Sequence, residues 1–251
     1  MSLRVSVATL VRVLFDHPEN GQTMLALERT ATLREIEGRP EITVRAKPFG
    51  GAVRLINPQA LKKLIGDFHY DSEQSCQEND FRILINPASW EKVMDICLEH
   101  LNGTGESILD SSPVRELAEE FEDALQVSLS PDQYKLRQCG FLVEATPVET
   151  DSLRAEGFPT VRVYYLFEAR IGANEIITML LDNHKRYSDK DLEEIALEDA
   201  RLGGRGRANA ILALKLDKLK DVYRSIPTER HGSPIQVGSH QLDGNVWAVL
   251  G

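Results

Sequence analysis

Cysteine is scarce: Cys76, Cys97 and Cys139 are the only three in 251 residues. None forms a Cys-x-x-Cys pair or lies in a Cys/His cluster, which excludes a disulfide framework and a zinc site and makes a reducing cytosol the expected compartment. Long apolar runs are missing as well, none approaching the ~18 consecutive residues of a membrane helix. Positive charge is in deficit, with 29 Lys+Arg against 39 Asp+Glu and a net charge of -10. That balance argues against a general nucleic-acid or anionic-membrane binder. There is no Gly-x-Ser-x-Gly elbow, no His-Glu-x-x-His and no Walker loop, and the six histidines share no ligand spacing. No internal repeat or low-complexity tract occurs. The first residues alternate apolar and polar and carry Arg4 and Arg12, the pattern of a strand and not of a signal peptide.

What is present is a core's worth of apolar residues, 42% of the chain, and one stretch of concentrated acid. Ser112-Pro113 supplies an N-cap and a first-turn proline. Val114, Leu117, Ala118, Phe121, Ala124 and Leu125 then recur at helical spacing, so one face is expected to pack on a core. Glu116, Glu119, Glu120 and Asp123 fall at i, i+3, i+4 and i+7, stacking carboxylates along another stripe. Such pairs repel by roughly 0.2–0.5 kcal/mol each, and Arg115 offsets part of that. A hard divalent cation, which takes carboxylate and phosphate oxygens, is one reason for the arrangement. A solvated helix face explains the same letters.

The run Arg115-Glu116-Leu117-Ala118-Glu119-Glu120, preceded by Gly105-Glu106 and by Lys47-Pro48-Phe49-Gly50-Gly51-Ala52-Val53, resembles the signature of the Nudix hydrolases. The resemblance departs from the family in three places. A long insertion separates Gly51 from Glu106, eight residues separate Glu106 from Arg115 where the family has seven, and the family's glycine after the last glutamate is Glu122. The missing glycine predicts a helix running on to about Val127.

Along the rest of the chain, strands are expected over Val5 to Phe15, Thr23 to Glu28, Glu41 to Ala46, Phe81 to Asn86, Gln138 to Ala145 and Val161 to Ala169. Asn57-Pro58 and Asn86-Pro87 are helix starts, leading into Gln59 to Phe68 and Ala88 to Leu101. A helix runs from Ser188 toward Leu202, and Gly203-Gly204-Arg205-Gly206-Arg207 separates it from a longer helix ending near Arg224. Arg205 and Arg207 there suit a phosphate clamp, though a C-cap glycine and basic linker explain the same letters and are the favoured reading. Asp243-Gly244 signals a two-residue hairpin.

The resemblance implies an α/β (α+β) fold, a Nudix-like α-β-α sandwich with a mixed sheet. One domain would span 1–251, with residues 55–104 as a helical insertion lobe. It implies hydrolysis of a pyrophosphate bond in a nucleoside diphosphate linked to another group. Glu106, Glu116, Glu119 and Glu120 would hold Mg²⁺ or Mn²⁺, Glu119, Glu116 and Arg115 would serve catalysis, and Gly50, Gly51, Arg205 and Arg207 would face the substrate. The expected partner is a small nucleotide derivative, without nucleic acid or membrane, and a homodimer is one expected assembly. The alternative is a catalytically lapsed domain of the same kind acting as a nucleotide sensor or interaction module.

Overall fold

Apolar and β-branched residues dominate Leu3–Asp16, interrupted by Arg4, Ser6 and Arg12, and they form a strand that is buried along almost its whole length. A computed structural model describes residues 2–36, 39–104, 107–148 and 157–251. The chain begins with β1 (Leu3–Asp16), β2 (Thr23–Ile36), β3 (Arg39–Lys47) and β4 (Arg54–Leu55). It continues through α1 (Pro58–Ile65), β5 (His69–Tyr70), α2 (Glu73–Glu78), β6 (Arg82–Ile85), α3 (Trp90–Leu101) and β7 (Leu109–Asp110). Next come α4 (Pro113–Leu125), β8 (Tyr134–Val148), β9 (Thr160–Ile171), α5 (Asn174–Arg186) and α6 (Asp189–Arg201). It ends with β10 (Arg207–Lys215), α7 (Leu216–Ser225), β11 (Ile235–Val237) and β12 (His240–Leu242). No described helix is long and apolar enough to cross a membrane.

These elements form two compact units. The first comprises residues 1–10, 50–113 and 139–166, and the second 11–49, 114–138 and 167–251. The chain therefore passes between units five times, and β1, β8 and β9 each give a stretch to both.

In the first unit, β6 lies antiparallel to Leu3–Ser6 of β1 on one side and to β5 on the other. The segment expected as an inserted lobe is thus tied into the unit's sheet. Leu61, Phe81, Ile83, Val93 and Cys97 are fully buried with Val5 and Val7. The proline starts hold as read: the Asn57 side chain accepts from Ala60 N at 3.0 Å, and Asn86 accepts from Ala88 N at 3.0 Å. Between the two helices lies a further short helix, α2, capped by Ser72.

In the second unit, β2 is central. It pairs antiparallel with β10 on one side and with β3 on the other, while β12 meets β3 in parallel, giving a mixed sheet. Side chains alternate across β2. Met24 and Ala26 face a core that includes Leu117, Phe121 and Ala124 of α4 and Ile176 and Leu180 of α5. Ala31 faces Leu192 and Ala196 of α6, together with Ala208 and Ala210. Helices thus cover both faces, the layered solution of an α/β sheet.

Three expectations are corrected here. The loop Gly203–Gly206 leads into strand β10 and not into a helix, because nine residues of Ala- and Leu-rich sequence find a full antiparallel partner in β2; pairing overrides their helical propensity. The C-terminal hairpin turns at Gly238-Ser239, between β11 and β12, instead of at Asp243-Gly244. Helix α4 stops at Leu125, where Gln126 takes a left-handed φ of 56° in place of the absent glycine.

Candidate functional site

The register of three strands in the second unit builds a polar surface. Glu28 lies opposite Lys47, Thr30 opposite Arg45 and Thr32 opposite Thr43. On the other flank, Arg207 lies opposite Thr32 and Asn209 opposite Thr30. With a period of two, these side chains share one face, while Arg29 goes to the other and pairs there with Asp189 at 3.1 Å. This polar row continues the line of Met24 and Ala26, so the change from core to site occurs at Glu28.

Helix α4 brings carboxylates to that point. Glu116, Leu117, Glu120, Phe121 and Ala124 are its buried residues, and the Phe121 ring packs 5.3 Å from that of Phe49. The acidic stripe is therefore not uniformly solvated: Glu116 and Glu120 are buried, and Glu119 and Asp123 are exposed. Glu120 Oε1 lies 3.2 Å from Lys47 Nζ, Lys47 Nζ lies 2.7 Å from Glu28 Oε2, and Arg207 Nη2 lies 3.1 Å from Glu28 Oε1.

Electrostatics follow from this packing. Burial pushes the Glu28 carboxyl up, but Lys47 and Arg207 outweigh it and hold the group below its ordinary range. Burial pulls Lys47 down, and Glu120 with Glu28 outweighs that, leaving its ammonium firmly protonated. Glu28 and Lys47 are thus both ionised at neutral pH.

The residues singled out in the sequence divide. Glu116, Glu119 and Arg115 stay together on α4: Arg115 Nη2 lies 2.7 Å from Glu116 and Nη1 lies 3.5 Å from Glu119. Glu120 of the helix joins the Lys47 cluster. Glu106 lies outside the described residues, and among those described no group of three His, Cys, Asp or Glu side chains is set to hold a metal. The donors themselves, carboxylate oxygens that include buried Glu28, suit a hard divalent cation. Gly50 takes a φ of 134°, and a Cβ there would come within 2.0 Å of the Thr9 carbonyl oxygen. Close backbone passage past Thr9 explains this glycine. The Gly51 carbonyl accepts from Thr9 N at 2.9 Å. Arg205 is exposed in its loop, whereas Arg207 reaches Glu28.

Glu28, Lys47, Arg45 and the threonines were not singled out in the sequence. Two signals were there: a lone acid directly after the apolar run Met24–Leu27, and basic residues two apart before Pro48. Beside the ion cluster is a cavity of about 240 Å³ lined by Thr30, Thr32, Thr43, Arg45, Lys47, Arg207 and Asp243. Comparison of the chain with protein-family models, curated proteins and solved structures finds no match in any of the three.

Proposed function

We propose that the chain is a Nudix-type hydrolase that cleaves the pyrophosphate bond of a nucleoside diphosphate linked to another group, with Mg²⁺ or Mn²⁺ as cofactor. The observation that carries this reading is the junction of two buried carboxylates, Glu28 and Glu120, with a cavity lined by Arg45, Lys47 and Arg207. Carboxylates for a metal and cations for phosphate are the two needs of phosphoryl chemistry, which is mostly positioning and charge stabilisation. Glu120, Glu116 and Glu119 would hold the metal, which when bound polarises phosphoryl oxygens and acidifies water. Arg207 and Arg45 would bind the phosphate that stays behind, and Glu28 would orient Lys47 and Arg207 toward it.

A specific observation favours a second reading. The Lys47 ammonium lies between Glu28 and Glu120, an internal cation that neutralises them without metal. A nucleotide sensor that binds without turnover would keep that arrangement.

Mg²⁺-dependent release of phosphate or nucleoside monophosphate across a panel of nucleoside diphosphate derivatives separates the two. The hydrolase reading expects turnover that falls about a hundredfold or more in Glu120→Gln, with the circular dichroism of a folded protein retained. Unchanged turnover in that variant would remove Glu120 from the chemistry. A silent panel accompanied by thermal stabilisation from the same nucleotides would establish the sensor.

A further inference from the structure

The cavity beside the ion cluster is selective in what it offers. All seven lining residues are polar, and no aromatic ring is among them. Nucleobases are commonly held by stacking on aromatic side chains, worth about 1–3 kcal/mol per base. This cavity has no such platform. Its volume, about 240 Å³, equals about eight water volumes and lies below the ~300–1,000 Å³ of sites that enclose a drug-sized ligand. It has room for a sugar ring with a phosphate at its mouth and not for a whole nucleotide.

The chemistry of the lining points the same way. Arg45, Lys47 and Arg207 line the cavity with Asp243, and although Glu28 and Glu120 share Lys47 and Arg207, the guanidinium forks of Arg45 and Arg207 match phosphate oxygens two at a time. Asp243 is an acceptor only and calls for hydroxyl donors on the ligand, while Thr30, Thr32 and Thr43 can donate or accept. Asp243 is held in place through its backbone, which donates to the Ala46 carbonyl at 2.8 Å. The Thr30 hydroxyl is buried and has no hydrogen-bond partner among the described residues. A buried hydroxyl left without a partner is destabilising, and a ligand oxygen at the cavity would satisfy it.

We infer that this cavity takes the sugar-phosphate end of the substrate, so that the group linked to the nucleoside diphosphate is a polyhydroxylated, non-aromatic one. This rests on the hydrolase reading for the identity of the whole substrate, but binding at the cavity can be measured without it. The base would lie elsewhere. Thr43 and Asp243 would select for hydroxyl groups, and Arg45 and Arg207 for the phosphate.

The test is isothermal titration calorimetry on the full chain in metal-free buffer containing a chelator, with ribose 5-phosphate, inorganic phosphate and adenine as probes. Ribose 5-phosphate is expected to bind about tenfold or more tighter than inorganic phosphate, with adenine giving no heat. In Asp243→Asn the ratio of the two affinities should fall about fivefold or more, because a hydroxyl acceptor weakens while one negative charge leaves an anion site. Thr43→Val, a change of one hydroxyl on a half-buried strand position, should lower the same ratio and serves if Asp243→Asn does not fold. Equal binding of ribose 5-phosphate and phosphate, a ratio unmoved in both variants, or no ribose 5-phosphate heat would overturn the inference. The hydrolysis panel reports separately. A silent panel with the expected ribose 5-phosphate behaviour removes the hydrolase reading and leaves the sugar-phosphate site, whereas turnover without that behaviour removes the site alone.

Discussion

Replacing Glu28 by glutamine removes one negative charge and preserves shape at the centre of the ion cluster. Glu28 is completely buried and engages Lys47 at 2.7 Å and Arg207 at 3.1 Å. Breaking a buried pair from one side costs about 3–5 kcal/mol. Two features lower that figure here. The Lys47 and Arg207 side chains keep 31% and 38% of their surface in water, and Glu120 still lies 3.2 Å from Lys47. The expected destabilisation is thus roughly 2–3 kcal/mol. At ~2–4 °C per kcal/mol for a chain of this size, melting should fall by roughly 4–12 °C at pH 7, read by circular dichroism. The pH dependence supplies an internal control. Because the folded carboxyl titrates below its ordinary 4.5, its contribution is complete above that value and is lost as pH falls through the lower folded one. The gap between wild type and Glu28→Gln should therefore be constant from about pH 8 to pH 5 and narrow in more acidic buffer. A variant as stable as wild type at pH 7, or a gap that does not narrow in acid, would refute the ion-cluster account.

Three further outcomes follow from the packing. Replacing residues 56–102 by a glycine-serine linker removes β6 from beside β1 and empties much of the first unit's core, so the product should be insoluble; a soluble protein with native near-ultraviolet circular dichroism would show the segment to be dispensable. Gly50→Ala places a methyl group against the Thr9 backbone at a φ of 134° and should cost about 3 kcal/mol or more in chemical denaturation. Of the three thiols, Cys76 and Cys139 are exposed, whereas burial pushes Cys97 up to about 12, so a thiol reagent at pH 8 should modify two rapidly and the third only on unfolding.

Local signals in the sequence were sufficient for the strands β1, β3, β8 and β9 and for the capped helices α1, α4 and α6. They failed where the decision was made by a distant partner. The Ala-Leu segment Ala208–Leu214 favours a helix by itself and is a strand because β2 is available along nine residues. The site shows the same division. Glu116, Glu119 and Glu120 were visible as a stripe, but which of them turn inward depends on what α4 packs against, and the structure buries Glu116 and Glu120 while exposing Glu119. Glu28 and Lys47 are nineteen positions apart and become neighbours only through the β2–β3 register. Register depends on both strands at once and cannot be read from either alone.

The five passages of the chain between units impose a schedule on synthesis. Segments of the first unit end at Leu166, and the second needs residues up to Gly251. At ~5–20 residues per second, roughly ten to thirty seconds separate the synthesis of β1 from that of Leu166, and neither unit has all its parts before then. The usual order, an N-terminal domain folding while the next is made, does not apply. For that interval the Val- and Leu-rich β1 has only β2 close behind, paired along Val13–Asp16, and lacks the strands that later flank the rest of it, β6 beginning some seventy residues downstream and β9 farther still. Nascent-chain protection by a holdase should therefore limit the yield of this protein more than its final stability does, and stalled chains released short of Leu166 should be recovered as aggregates.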